Sequence, residues 1–248
     1  MTLTIHNRAQ NPEIFQTIDH AAFDRSWPLF MQHDPTAQWY YSYLDDVAEY
    51  VLLATDGEQP VAKAYSTSFA LGLTGREELP DGGWDQVIRW QHADRLAGRD
   101  RTAATALEIV ILKDRQGQGI SSVMLKALRD NAFRLGHDVL YAPVRPSQKS
   151  DEPETPMSEY AFRVRDDGLP YDAWLRTHVR AGGRIVKVCP LSMTISGTLA
   201  QWREWTALPF DTDGPVLVAG ALSPVQVSLA HDVAVYVEPN VWVEHRRP

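Results

Sequence analysis

Two glycines, Gly117 and Gly119, interrupt the run 108–125 (Glu-Ile-Val-Ile-Leu-Lys-Asp-Arg-Gln-Gly-Gln-Gly-Ile-Ser-Ser-Val-Met-Leu) where an apolar, strand-like stretch becomes a helix-like one. Glycine tolerates positive φ and close backbone approach. Consecutive N–H groups can therefore face one concavity at the positive end of the helix dipole, a seat for an anion such as a pyrophosphate. A Walker loop needs Gly-Lys-Ser/Thr after four intervening residues, and a dinucleotide fingerprint needs a third glycine; neither fits the residues that follow Gly119. Glu108 is a carboxylate in an otherwise apolar strand, which makes it either a proton acceptor or one half of a salt bridge to a surface arginine. The lone Cys189 sits in an alternating apolar run and reads as a core residue. None of the eight histidines is spaced for a metal, so no metal site is expected.

The elements that must hold this turn are a strand at about 104–112, a helix at 119–135 closed by Gly136, and a strand at 138–143. Upstream, the pattern predicts a strand at 3–8 and a helix from Pro12 to residue 23. An apolar loop follows at 24–33, then a helix at 36–47 carrying Trp39, Tyr40, Tyr41, Tyr43 and Leu44, and a hairpin of strands 50–55 and 61–69. Two insertions are expected. The one at about 74–101 is polar and partly helical; the one at 144–169 is irregular, as a lid or an acceptor wall would be. A helix at 170–181 bearing Trp174 and His178 ends at Gly182-Gly183, followed by strands at 184–189 and 193–196 and a short helix at 199–208. Short strands follow at 216–219, 225–229, 233–237 and 241–243, with Pro239 interrupting the last pair. The extension from about 196 to 248 is left with two roles: completing the sheet, or extending it into a second copy as a homodimer.

With 248 residues, 44% of them hydrophobic, the chain can bury one large core, and no Gly/Ser-rich linker divides it. The net charge of −8 argues against a nucleic-acid partner and weakly favours cationic ones. No apolar run approaches the ~20 residues of a membrane span. A cytoplasmic protein without a membrane partner is the expectation.

Gln116-Gly-Gln-Gly119-Ile-Ser121 resembles the Gln/Arg-x-x-Gly-x-Gly/Ala acyl-CoA signature of the GNAT superfamily of CoA-dependent N-acyltransferases, with Ser121 in place of the last Gly or Ala. The resemblance implies an α+β fold in a single domain over 1–248: a mixed, mostly antiparallel sheet with one splayed strand pair and flanking helices. It also implies acetyl-CoA or another acyl-CoA as co-substrate and a small-molecule amine that attacks the thioester directly. Backbone groups of Ile109, Val110 and Ile111 would hold the pantetheine arm, and Gln116, Gly117, Gln118, Gly119, Ile120, Ser121 and Ser122 the pyrophosphate. An N–H near Val110 or Ile111 would polarise the carbonyl, and Glu108 would take the amine proton directly or through water. The family's tyrosine beside the thioester sulfur lies four residues before the helix-ending glycine. Here that place is held by His178, which imidazole chemistry suits for protonating the thiolate. The helices at 12–23 and 36–47 would border the acceptor pocket. Two other readings stay open: a non-catalytic acyl-CoA-binding or sensing module, and a GNAT-like thioester decarboxylase or carrier-protein acyltransferase.

Overall fold

The computed structural model describes residues 3–247. Nine strands form one sheet: β1 (Leu3–Asn7), β2 (Val51–Asp56), β3 (Gln59–Phe69), β4 (Ala103–Ile111), β5 (Val139–Val144), β6 (Arg184–Gly197), β7 (Gly214–Val216), β8 (Val225–Ser228) and β9 (Val233–Arg246). The order is β1-β2-β3-β4-β5-β9-β8-β7, with β6 on the other edge of β9. Every pairing is antiparallel except β4 with β5. The expected mixed, mostly antiparallel α+β sheet is present.

Helices cover both faces. Against one lie α4 (Ile120–Arg134), α5 (Met157–Tyr160) and α6 (Ala173–Arg180), whose Met124, Leu128, Tyr160 and Leu175 pack on Ala62, Ala64, Ala104 and Ala142. Small residues on these strands let α4 approach closely. On the other face, α2 (Pro35–Tyr41), α3 (Gly83–Leu96) and α7 (Leu199–Thr206) bury Tyr40, Ile88 and Trp202 against Leu53, Tyr65 and Tyr236.

Three expectations are corrected. The helix from Pro12 to 23 is a 3₁₀ turn, Pro12–Thr17, followed by the separate short helix α1 (His20–Asp24); the Asp19 side chain accepts from Ala22 N–H and restarts the chain there. The helix at 36–47 stops as α2 at Tyr41, and a 3₁₀ segment, Leu44–Tyr50, leads into β2. The two terminal strands are one, β9, despite Pro239. On that edge β5 pairs only from Val241 onward and β8 only to Val235, so no strand lies opposite the proline, and β6 bulges between Cys189 and Met193. The C-terminal extension therefore completes the sheet from within the chain, with β9 at its centre.

Residues 144–169 pack against the rest of the chain. Met157 and Tyr160 are buried, the Tyr160 hydroxyl donates to Asp172 (3.1 Å), and the buried Lys149 ammonium donates to the carbonyls of Glu152 (2.6 Å) and Leu222 (2.7 Å).

Candidate active site

β4 and β5 pair only through Ala104 with Leu140 and Thr105 with Tyr141; beyond these the strands part. The separation starts at a bulge in β4, where Leu107 is skipped in the register with β3. Its carbonyl is taken by the Trp84 indole N–H (2.9 Å). Leu112 N–H donates to Val61 (3.1 Å), so by strand alternation the polar groups of Val110 also face β3 and those of Ile109 and Ile111 face the gap. Val110 is thus withdrawn from the residues expected to bond the pantetheine arm.

The glycine turn has the conformation its composition requires, with φ of 75° at Gly117 and 77° at Gly119. Gly119 is the N-cap of α4 and no side chain caps that end; the first N–H accounted for there is that of Ser122, donated to Gly119 (3.1 Å). The preceding donors stay free for an anion.

A cavity of about 1090 Å³ joins the turn, the strand gap and the α1–α2 side of the sheet. Of the residues singled out in the sequence, Glu108, Ile109, Ile111, Gln116, Gly117, Ser121 and His178 line it. Val110, Gln118, Gly119, Ile120 and Ser122 do not; the Ile120 side chain is core. Of Trp39, Tyr40, Tyr41, Tyr43 and Leu44, only Tyr41 and Leu44 reach it, beside Ala37 and Gln38. Tyr40 is buried with its hydroxyl on the Ser66 carbonyl (3.0 Å), while Trp39 meets His92 edge-on and Tyr43 meets it tilted.

Glu108 is 9% exposed and accepts the Trp27 indole N–H (2.8 Å) and the Tyr41 hydroxyl (2.8 Å). Desolvation of that hydroxyl, with the Glu108 carboxylate second, raises the Tyr41 phenol well above its ordinary range and keeps it a donor. Among the described residues Glu108 forms no salt bridge, so the expected alternative of a surface arginine partner does not hold. Its two partners are neutral donors.

His178 is 2% exposed, with the Trp174 ring edge-on at 4.6 Å and Nδ1 bonded to Nε2 of His245 (3.0 Å). Gly182, at φ 86°, ends α6. Gly183 then makes room for His245: a Cβ there would lie 2.6 Å from Cε1 of that ring. Burial, with His245 second, pushes His178 well below the usual imidazole range, and burial pushes His245 down to about 4. Both rings are neutral at pH 7, so His178 is no precharged acid. His245 Nδ1 is buried without a partner. A buried orphan acceptor is better tolerated than an orphan N–H, which favours the tautomer in which His245 donates through Nε2 and His178 carries its proton on Nε2.

Trp27, Lys63, Tyr65, Arg145, Glu238 and His245 were not legible as site residues. Only the apolar character of residues 24–33 hinted at Trp27.

No protein-family profile matches the chain. The loading GNATL domain of CurA from Lyngbya majuscula superposes with a TM-score of 0.64 at 16% identity, covering 99% of this chain and 98% of that one. The GphF GNAT-like decarboxylase in complex with isobutyryl-CoA superposes with a TM-score of 0.55 at 14% identity, covering 99% of both chains. These two establish the fold. In sequence, the chain is 31% identical to arginine N-acetyltransferase avaD of Aspergillus versicolor, across 98% of this chain and 93% of that protein. Identity at that level over nearly the whole of both chains makes the relationship one of family as well as fold: the chain belongs to the GNAT superfamily and is an acyl-CoA-dependent N-acetyltransferase.

Proposed function

We propose that acetyl-CoA is the donor, that arginine is the first acceptor to test, and that Glu108 and His178 act on the two sides of the bond being exchanged. The observation that carries this reading is the Glu108 carboxylate inside the cavity, bonded to two neutral donors, on the strand that lines the gap. Its charge draws an ammonium out of water, and the same oxygen accepts the proton the nitrogen must lose to form the new amide bond. The free N–H groups of Ile109 and Ile111 suit the amides of the arm and the polarised carbonyl oxygen. The turn from Gln116 to Ser122 suits the pyrophosphate.

Acetyl-CoA supplies an activated acyl carbon. What this chain adds is orientation, a proton acceptor, and a hydrogen bond to the departing sulfur. A neutral imidazole is too weak an acid to protonate a thiolate outright, so His178 Nε2–H stabilises the sulfur's growing charge by hydrogen bonding and the proton arrives from solvent. This departs from the general-acid role the resemblance implies. Arginine as acceptor is supported by the relative named for it and by the net negative charge.

The test is thiol release from acetyl-CoA with and without arginine, beside CO₂ release from malonyl-CoA. Arginine-dependent thiol is the expected result. Acetyl-CoA binding without thiol for any amine would assign a sensing module, and CO₂ without amine-dependent thiol a decarboxylase.

A further inference from the structure

We propose that Lys63 is the anchor for a carboxylate on the acceptor, so that the enzyme takes amino acids in preference to the corresponding free amines. The inference rests on the acetyl-transfer reading above and names the acceptor class of that site. Lys63 lies on β3 opposite Val110, two residues from Tyr65, which is opposite Glu108. The two side chains therefore share a sheet face. Lys63 is 4% exposed and lines the cavity.

Among the described residues its ammonium makes only a long ion pair and no hydrogen bond. The nearest acid oxygen, Asp24 Oδ1, is 3.7 Å away on a half-exposed side chain, beyond the ~3.2 Å of a hydrogen bond. The two arginines lining the cavity are committed: Arg8 donates to Asp45 (2.8 Å), and Arg145 to Glu238 (2.9 Å) and the Gly220 carbonyl. Lys63 is surrounded by rings instead, with Nζ 5.6 Å from the Phe23 centroid, 5.9 Å from Tyr41 and 5.4 Å from Tyr65. Ring faces stabilise a cation without accepting its N–H groups in short hydrogen bonds. The ammonium is thereby held in place with its donors unspent and its charge met only by the long pair to half-exposed Asp24, and an anion satisfies both; a neutral carbonyl satisfies only the donors.

Tyr41 connects this cation to the proposed base. Its hydroxyl is on Glu108 and its ring is beside Lys63, so one residue separates a negative from a positive cavity group. An α-amino acid presents the complementary pair, with its ammonium for Glu108 and its carboxylate for Lys63.

The test compares each amino acid with its decarboxylated counterpart, arginine with agmatine and lysine with cadaverine, in the parent and in Lys63→Met, which keeps the side-chain length among the rings. The parent should favour the amino acid in kcat/KM by at least about tenfold. Lys63→Met should lower kcat/KM for the amino acid by at least about tenfold, through KM, and change the free amine by no more than about threefold. Lys63→Arg should restore part of the loss, and CoA affinity by calorimetry should stay the same. Equal losses on both members of a pair, a parent that prefers agmatine, or a fall in CoA affinity would each overturn the anchor. If Lys63→Met does not fold, the parent's preference alone decides. If no amine releases thiol, acetyl transfer fails first; calorimetry of arginine against agmatine on the CoA-loaded protein then still decides the anchor, and equal affinities refute it.

Discussion

Exchanging Glu108 for glutamine separates its charge from its shape. In the parent, one carboxylate oxygen accepts from Trp27 and the other from Tyr41, each at 2.8 Å. An indole nitrogen only donates, so the amide oxygen of Glu108→Gln must face Trp27 and its NH₂ must face Tyr41, whose oxygen can accept. Both hydrogen bonds survive, one of them reversed, and each loses only its charge assistance, about 1 kcal/mol. Against that stands relief from burying a carboxylate that forms no ion pair among the described residues. The fold should therefore change by about 1 kcal/mol or less, a Tm shift of about 2–4 °C at most. Turnover should fall far more. Loss of a positioned base costs about 10²–10⁴ in rate, or roughly 3–5 kcal/mol of barrier. The assay is thiol release at saturating acetyl-CoA across neutral to alkaline pH, beside a thermal melt. Without a base, the variant depends on amine that is already deprotonated, so its rate should climb about tenfold per pH unit below the amine's own pKa, more steeply than the parent's. A variant that melts like the parent and turns over within a few-fold of it, with the same pH profile, would refute the assignment and leave Glu108 as the strut for Trp27 and Tyr41.

Gly119→Glu should lower CoA affinity at least about tenfold by calorimetry, because the residue sits at φ 77° and a carboxylate there repels the pyrophosphate; unchanged affinity would remove the turn from the site. His178→Phe keeps the ring and removes the N–H, so kcat should fall about 10- to 100-fold, with part recovered in His178→Tyr. The parent's kcat should show no imidazole ionisation near its ordinary pH, since burial keeps the ring neutral; such a break would restore the general-acid role. His245 is depressed to about 4, so the unfolded chain takes up a proton below its ordinary pKa while the folded one does not, and stability is lost as pH falls through about 6.5. That one group contributes about 2 kcal/mol of loss between pH 7 and 5, and His245→Gln, whose amide keeps the donor to His178, should shrink the loss seen in denaturant titrations by that amount. An identical pH dependence in the variant would mean the imidazole is charged in the folded protein.

The turn at Gly117 and Gly119, the helix that follows it, and the ending of α6 at Gly182 were legible because each is a local matter of which residues tolerate positive φ and where a helix stops. Register within α6 alone puts His178 one turn beyond Trp174. The break at Asp19 and the continuity of β9 through Pro239 were misread for the opposite reason. A local capping oxygen outcompeted helix periodicity in the first case, and in the second a gap between β5 and β8 left the proline with no strand to bond on that edge.

Sequence alone determined the backbone shape of the glycine turn and the residue types near it, since those follow from preferences spanning a few residues. Only the tertiary structure decided what each buried polar group became. Glu108 receives its donors from 81 and 67 residues away, His178 meets His245 across 67, and Lys63 gathers rings from α1, α2 and its own strand. Sheet register and layer packing choose such partners. A carboxylate, an imidazole or an ammonium takes its proton affinity and its chemistry from the groups packed against it, and the order of residues along the chain does not specify those groups.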